Sequence, residues 1–444
     1  MKKVITYGTY DCLHYGHINL LKRAKELGDY LIVGVTSDEY DKVRGKLDIS
    51  QPLLERIQAV KDTGLADEII VEEYEGQKIT DIKKYDVDIF TVGSDWVGYF
   101  DYLKEFCEVV YLPRTVGVSS TEIRVAKNKV IQLGIIGAKN PAERFIKEAR
   151  CVKKIKPCLI WDEDRNKAQE VAARTGLEDC ASREELLDRV EAVYIVGSID
   201  RHYEWIMEAL KKKCHVICEG PVFLREAEAC KAFQFAEEQG VVLFEGIKTR
   251  FFPAFEHLQL LLKTGCIGNV KDIEVSFSQK LDEIDYGKLG KYQGSLYDLG
   301  GYIFLPIFQI LGLEYEEKHI FTSKINEFDS FTKGVLKYKN AIASFKAGLG
   351  VKTEGNLLVT CEKGYVYVPA PWWKMDYFEI RYEDLRNFKR YFWEFKGEGF
   401  RYEILEFVRL INSNDSVTPK YMENEILAVA KILESFDNEE YQIF

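Results

Sequence analysis

Successive doubly wound α/β sheets are predicted for this chain by three observations. Short apolar runs alternate with helical periodicity from residue 3 to residue 112, and a second series of the same kind starts near Val130. Each series opens with a strand that runs directly into a glycine-bearing turn and a helix: Tyr7-Gly8-Thr9 in the first, Gly134-Ile135-Ile136-Gly137 in the second. In parallel sheets ligands bind beyond the carboxyl ends of the strands, so both turns are expected to be functional.

At 444 residues the chain is too long for one ordinary core, and two or three domains are expected. Charged residues make up 30% of it, and no apolar run approaches the roughly 20 residues of a membrane helix. Met1-Lys2-Lys3-Val4 reads as the start of a strand rather than a secretory leader, so a cytoplasmic location is expected. The 10 cysteines are scattered without CxxC pairs, a pattern of reduced thiols and not of a disulfide framework or a metal site. A net charge of -11 argues against general nucleic-acid or membrane binding, so any phosphate site must be local.

In the first series, strands are predicted at residues 3–7, 30–35, 68–71, 88–92 and 108–112, and helices at 17–27, 52–61, 77–84 and 100–105. Gly8 lets backbone amides approach an anion, and the helix beginning near His17 offers unpaired N–H groups to it. A lone histidine is usually structural. Two of the chain's 6 histidines in one turn, His14-Tyr15-Gly16-His17, point instead to donors for developing negative charge. Arg44 and Lys46 taken alone would be a solvated loop.

The stretches Thr6-Tyr7-Gly8-Thr9-Tyr10-Asp11, His14-Tyr15-Gly16-His17, Arg114-Thr115 and Val118-Ser119-Ser120-Thr121-Glu122-Ile123-Arg124 closely resemble the glycerol-3-phosphate cytidylyltransferase branch of the nucleotidyltransferase superfamily. The resemblance covers residues 1–125 and implies a Rossmann-like nucleotidyltransferase domain, taken as 1–127. It implies an enzyme that joins CTP, with Mg2+, to a phosphomonoester and releases pyrophosphate without a covalent intermediate. Catalysis is then positioning and charge stabilisation. Carried over by position, His14 and His17 contact the phosphates at the reacting centre, Arg44 and Lys46 close over the triphosphate, and Ser119, Ser120 and Thr121 hold its β and γ phosphates. Arg114 and Thr115 sit by the nucleotide, and Gly8, Thr9, Tyr10, Asp11, Asp95 and Trp96 complete the CTP pocket. Where the family often has Arg-Tyr-Val-Asp-Glu-Val, this chain reads Gly64-Leu65-Ala66-Asp67-Glu68-Ile69, a change that bears more on glycerol 3-phosphate as acceptor than on cytidylyl transfer.

The polar stretch 125–129 separates two complete patterns and marks a boundary. Strands are then predicted at 130–136, 158–161, 192–196, 215–218 and 241–244. A dinucleotide fingerprint wants glycines in its first turn. Gly134 and Gly137 are present, Ala138 and Asn140 continue the turn, and Lys139 stands where the second close-approach glycine usually lies. Asp162 ends the next strand, where a carboxylate accepts from both ribose hydroxyls and favours NAD over NADP; a helix N-cap is the alternative.

Ala192-Val193-Tyr194-Ile195-Val196, His202-Tyr203-Glu204, Val216-Ile217-Cys218-Glu219-Gly220-Pro221, Phe251-Phe252-Pro253-Ala254-Phe255 and Gly265-Cys266-Ile267-Gly268-Asn269-Val270 together resemble the glucose-fructose oxidoreductase and inositol dehydrogenase (Gfo/Idh/MocA) family. That implies a classical Rossmann dinucleotide-binding domain at 128–247, with His202 and Glu219 among its cofactor contacts. It also implies an α/β domain with a large, mainly antiparallel open sheet at 248–444, often used for oligomerisation, so a homo-oligomer is expected. NAD(H) is the implied cofactor, with NADP(H) the alternative. Alternation in 334–339, 341–346 and 364–368 fits such strands.

Family dehydrogenases usually carry Glu-Lys-Pro, whose lysine helps the substrate hydroxyl lose its proton. This chain has Glu219-Gly220-Pro221. Tyr302, in Asp298-Leu299-Gly300-Gly301-Tyr302, matches the family's acid/base position. Either Lys248 substitutes for the missing lysine electrostatically, or Tyr302 works without one, or Lys248 is merely exposed. Trp372 and Trp373 are expected at a sheet edge, against the nucleotide domain or a partner subunit, with 398–410 and 422–436 as amphipathic closing helices.

Three functions follow. The first is a bifunctional enzyme that makes a CDP-activated polyol and performs a linked NAD(H) step. The second is a cytidylyltransferase whose other half senses NAD or assembles, and in the third that half is only an oligomerisation scaffold. A small phosphate is the expected partner, and the resemblance implies precursor supply for teichoic-acid-like or capsular polymers.

Overall fold

The computed structural model describes residues 2–11, 13, 15–43, 49, 51–74, 76–113, 130–280, 289–384, 386–393, 396–412 and 417–444. They fall into two compact units, Met1–Asn128 and Lys129–Phe444. No helix among the described residues is long and apolar enough to cross a membrane.

In the first unit, β1 (Lys3–Gly8), β2 (Tyr30–Thr36), β3 (Glu68–Glu72), β4 (Ile89–Gly93) and β5 (Glu108–Leu112) pair in parallel in the order β3-β2-β1-β4-β5. Val4, Ile5, Leu31, Ile32 and Val33 are fully buried, as both faces of such a sheet demand. The chain order reverses beside β1, so the turn after Gly8 lies at the topological switch point. The helices are α1 (Tyr15–Lys25), α2 (Asp38–Val43), α3 (Leu53–Asp62) and α4 (Gln77–Tyr85). Residues 100–105 differ from expectation: Asp101–Glu105 is a 3-10 turn, with Leu103 N–H bonded to Phe100 O. Helix α2 was not expected; Ser37 Oγ caps it by accepting from Tyr40 N–H at 3.1 Å.

In the second unit, β6 (Ile131–Ile136), β7 (Ile155–Trp161), β8 (Glu178–Asp179), β9 (Ala192–Ile195), β10 (His215–Glu219) and β11 (Leu243–Gly246) form a parallel sheet in the order β11-β10-β9-β6-β7-β8. Between and after these strands come α5 (Ala142–Ala149), α6 (Arg165–Thr175), α7 (Arg183–Leu187), α8 (Ile199–Lys211), α9 (Glu226–Gln239) and α10 (Pro253–Lys263). The second sheet runs β19-β18-β17-β16-β12-β15-β14-β13-β20 among the described residues. Its strands are β12 (Val270–Gln279), β13 (Glu317–Ile325), β14 (Phe328–Lys337), β15 (Ile342–Leu349), β16 (Leu357–Cys361), β17 (Gly364–Val368), β18 (Tyr377–Arg381), β19 (Phe388–Phe392) and β20 (Gln442–Ile443). Among its described residues only β12/β15 and β13/β20 pair in parallel. The buried helix α11 (Ser295–Leu311) covers one face of this sheet.

Two expectations change here. The last helices, α12 (Phe400–Ile411) and α13 (Lys420–Asp437), cross the division placed at residue 247. Phe400, Phe407, Met422 and Ile426 complete the core of the nucleotide-type sheet, while Val429, Leu433 and Phe436 join the core of the large sheet. Trp372 and Trp373 form no sheet edge. Trp372 is fully buried in a 3-10 turn with its indole N–H donating to Ser276 O at 3.0 Å, and Trp373 stacks on Phe277 at 3.7 Å. A buried indole requires an acceptor, and the β12 backbone supplies it.

Candidate active sites

In the first unit, the strand β1 delivers Gly8, Thr9, Tyr10 and Asp11 to the carboxyl edge of the sheet. A Cβ on Gly8 would come within 3.0 Å of the Tyr10 ring, so glycine is what lets the chain fold back. Tyr10 has a left-handed φ of 53° and is 1% exposed, with its ring edge-on to His17 at 5.6 Å. The turn is therefore pinned against α1, and His17 is placed at its mouth.

Arg56 holds this turn together, and sequence reasoning missed it. It is fully buried; Nη1 donates to Thr9 O at 2.6 Å and Thr36 O at 2.9 Å, and Nε donates to Gln51 O at 2.9 Å. It also pairs with Asp38 and lies 3.7 Å from Asp41 Oδ2. Asp41 accepts from Thr9 Oγ1 at 3.1 Å, and Asp11 Oδ1 accepts from Gln51 N–H at 3.0 Å. The one available signal was an arginine among apolar residues in Leu53-Leu54-Glu55-Arg56-Ile57.

Across the turn, Lys78 pairs with Glu72 and lies 4.7 Å from the Tyr7 ring centre, while Tyr7 donates to Asp81 at 2.9 Å. Trp96, 37% exposed, borders the same cavity as Gly8 and Thr9. Gly64, at the position of the family's arginine, has φ 65° and open space beyond its Cα. Asp95 belongs to the 3-10 turn Ser94–Trp96, with its side chain outside the described set. His14, Arg44, Lys46, Arg114, Thr115, Ser119, Ser120 and Thr121 lie outside the described residues.

The second site starts at the turn after β6. Gly137 has φ 104°, and a Cβ there would sit 1.7 Å from Val196 O, so no other residue fits. Ala138 N–H donates to Asp162 Oδ2 at 2.6 Å, and Asp164 N–H donates to Asp162 Oδ1 at 2.7 Å. The N-cap of α6 is Asp164, not Asp162, which removes the capping alternative. Asp162 is thus fixed beside the glycine turn, and these residues fit the ribose and pyrophosphate of a dinucleotide. Lys139 reaches across to Asp298 of the α11 motif at 2.9 Å, and Asn140 accepts from Arg144 Nε at 3.2 Å. His202 is 3% exposed; burial pushes it down to about 4, so its ring is neutral near pH 7. A broader depression of about 420 Å³, bordered by Arg150, Lys156 and Cys158, lies at the opposite, amino edge of this sheet and holds none of the candidate residues.

Around the missing lysine the chain is closely built. A Cβ on Gly220 would lie 2.8 Å from Ile247 Cγ1 and 2.9 Å from Glu245 Oε1. Glu219 accepts from Tyr194 OH at 2.6 Å, and burial pushes its carboxyl up to about 7 against the pull of that bond and of Lys248. Lys248 is 4% exposed, which excludes the exposed alternative. Its Nζ donates to Glu398 O at 2.7 Å and lies 4.2 Å from the Phe400 ring centre. Burial pushes it down to about 8, opposed by Glu403 and Glu219. Glu403, on α12, was also missed: it is fully buried, neither carboxyl oxygen has a hydrogen-bond partner among the described residues, and burial raises it well above the usual range. Tyr302 is 8% exposed and edge-on to Phe277 at 5.4 Å. Burial, then the Glu219 and Glu403 carboxylates, keep its hydroxyl protonated; the cation opposing them is Arg144 rather than Lys248.

Comparison with known proteins agrees with both halves. Residues 5–126 match the cytidylyltransferase-like family, and residues 131–247 match the oxidoreductase family with an NAD-binding Rossmann fold. A glycerol-3-phosphate cytidylyltransferase of Bacillus spizizenii is 54% identical over 125 residues, 28% of this chain and 95% of that protein. The scyllo-inositol 2-dehydrogenase (NADP(+)) of Bacillus subtilis is 25% identical over 331 residues, 69% of this chain and 95% of that protein. The fold of a 3-ketoreductase from Actinomadura kijaniata, solved with NADP, superposes with a TM-score of 0.62 at 20% identity over 71% of this chain and 99% of that one. The chain belongs to the cytidylyltransferase family through its first unit, and there a nucleotidyltransferase is fused to a Gfo/Idh/MocA oxidoreductase domain.

Proposed function

We propose that the first unit transfers the cytidylyl group of CTP to a small phosphomonoester, glycerol 3-phosphate or a related phosphopolyol. An acceptor phosphate oxygen bonds to the α-phosphorus while its bond to pyrophosphate breaks, and no bond to the protein forms. The observation that carries this reading is the Arg56-locked turn from Gly8 to Asp11, in a segment 54% identical to a glycerol-3-phosphate cytidylyltransferase. His17 stands at that turn, and His14, Arg44, Lys46 and Ser119 to Thr121 complete the charge stabilisation by likeness to the family. Mg2+ is expected to accompany the triphosphate. CTP-dependent pyrophosphate release with small phosphates, lost in His17→Ala, tests the proposal.

The second unit, on the same reading, interconverts a ketone and an alcohol on the acceptor or on the CDP product. When bound, the nicotinamide supplies or takes up hydride. Tyr302, kept protonated by its surroundings, hands a proton to the substrate oxygen in the reducing direction. Asp162 supports NAD, because a carboxylate repels a 2′-phosphate, although the two oxidoreductase relatives above carry NADP in their descriptions. NADH consumption with three-carbon carbonyl compounds, compared with Tyr302→Phe, tests this step.

The closed space at Gly220 supports a second reading, in which the NAD(P) site senses or assembles without turnover. Binding of NADH without consumption of any carbonyl compound would select it.

A further inference from the structure

Two half-exposed cations stand near Tyr302 without a part in the chemistry described above, and what they bind rests on the oxidoreductase reading of the second unit. Arg144, on α5, and Lys374, in the 3-10 turn Trp372–Lys374, converge on one carboxylate oxygen, Glu398 Oε2, at 3.5 and 3.1 Å. Their side chains are 39% and 40% exposed, so both charged heads are open to solvent. Two cations on one carboxylate leave a surplus positive charge. Lys139 and Asp298 cancel each other at 2.9 Å, so the surplus stays with Arg144 and Lys374. Arg144 Nε donates to Asn140 at 3.2 Å, which sets the guanidinium, and Thr249 Oγ1 donates to Trp373 O at 2.9 Å, which sets the turn carrying Lys374.

The pair lies at the reacting end of the second site. Trp373, next to Lys374, stacks on Phe277, whose ring meets Tyr302 edge-on at 5.4 Å. Arg144 stands 5.8 Å from the Phe400 ring centre, the same ring that Lys248 Nζ approaches to 4.2 Å. After burial and the Glu219 and Glu403 carboxylates, Arg144 is the group that bears on the Tyr302 hydroxyl. A guanidinium and an ammonium with N–H groups to spare fit a phosphate dianion, whose oxygens can accept from both. A neutral polyol would leave the surplus charge unanswered. A CDP-linked compound asks in addition for a ring on which cytosine can stack. Here Trp373 is taken up by Phe277 at 3.7 Å, and Phe400 by Lys248 and Arg144, so the rings around the cations are engaged with the protein's own groups.

We propose that Arg144 and Lys374 bind the phosphate of a small phosphorylated ketone, so that reduction comes before cytidylyl transfer. The carbonyl carbon gains a hydride from NADH and the carbonyl oxygen gains the Tyr302 proton, so C=O becomes CH–OH, NAD+ is left, and the phosphate ester stays intact. Tyr302 recovers its proton from solvent. The resulting phosphopolyol is the acceptor that the first unit joins to CTP. Arg144 and Lys374 hold the substrate and take no part in bond making.

The test reads NADH consumption by the full chain. Phosphorylated ketones led by dihydroxyacetone phosphate are each set beside the unphosphorylated counterpart, and the CDP-linked ketone forms a third arm. The wild type is expected to favour the phosphorylated ketone by about 10- to 100-fold in kcat/KM. In Arg144→Met and in Lys374→Met that preference collapses through a raised KM, while the KM for the unphosphorylated ketone and the Kd for NADH hold; Arg144→Lys retains part of it. A second readout needs no turnover: glycerol 3-phosphate added to the chain loaded with NADH forms an unreactive complex, and the nicotinamide fluorescence reports the second unit alone. Glycerol 3-phosphate should change that fluorescence at concentrations about 10- to 100-fold lower than glycerol, and the difference should vanish in both variants. Equal use of phosphorylated and unphosphorylated ketones by the wild type overturns the proposal. So does better use of the CDP-linked ketone, or a variant whose Kd for NADH rises as much as its KM for the ketone. Absence of NADH consumption with every ketone overturns the oxidoreductase reading beneath it, and the fluorescence comparison then decides the phosphate site by itself.

Discussion

Restoring the family's lysine by Gly220→Lys is expected to damage this protein rather than improve it. Any Cβ at position 220 meets Ile247 Cγ1 at 2.8 Å and Glu245 Oε1 at 2.9 Å, and Ile247 is only 1% exposed. Toward α11, Ile247 Cδ1 occupies the space that a Cβ on Gly301 would need, 2.8 Å from that position. Overpacking of this kind costs about 1–3 kcal/mol. For a unit of this size that lowers Tm by about 1.5–4.5 °C. Gly220→Ala isolates the steric part and should show most of the loss by calorimetry of the full chain. Gly220→Ala with Ile247→Ala should be less damaging than the sum of the two single changes by about 1–3 kcal/mol, since the second removes the atoms that the first strikes. A Gly220→Ala protein as stable as the wild type, or strict additivity in the pair, would refute the argument that Ile247 closes the lysine's place.

Other outcomes follow from the same geometry. Arg56→Leu strands Asp41 and the Thr9 carbonyl, and should cost the first unit about 3–5 kcal/mol in urea unfolding while leaving NADH binding intact. Gly137→Ala should abolish NADH binding by fluorescence titration without touching pyrophosphate release. Tyr302→Phe should lower carbonyl reduction by about 100-fold or more with the Kd for NADH unchanged. Asp329 is 1% exposed, and burial pushes it up from 3.8 to about 6. Its folded pKa is raised, so its ionisation opposes folding: the penalty is absent below pH 3.8, grows as pH rises to 6, and is then complete at about 3 kcal/mol. Asp329→Asn should flatten the stability curve over that window, read by chemical denaturation at a series of pH values.

The parts of the fold that could be read from the chain are those dictated locally. The buried strands β1, β2 and β6 are short, mostly apolar runs, and Gly8 and Gly137 are glycines because any Cβ would strike Tyr10 or the Val196 carbonyl. The parts that could not be read depend on contacts distant in sequence. Arg56, Glu72 and Glu403 occupy positions that look solvated in a helix or at a strand end, yet each is fully buried. Arg56 is buried by the Thr9 and Gln51 carbonyls, and Glu403 by the return of α12 to the first core of its unit. Trp372 was misplaced for the same reason: its acceptor, Ser276 O, belongs to a strand far away in the chain. Among the site residues, Lys248 was legible as a charge near the end of β11, but its position against Phe400 and Glu398 rests on α12 and the segment before it.

On the proposed function, one chain activates a phosphopolyol with CTP and carries out a redox step on that same compound. Mass analysis of the nucleotide product, after incubation of the full chain with CTP, Mg2+ and small phosphates in the presence and absence of NADH, tests it most directly. The account predicts a CDP-polyol from a phosphopolyol, and, from the corresponding phosphorylated ketone, the same CDP-polyol only when NADH is present. A CDP product whose mass never depends on NADH would contradict the coupling, and no CDP product from any phosphate would contradict the account as a whole.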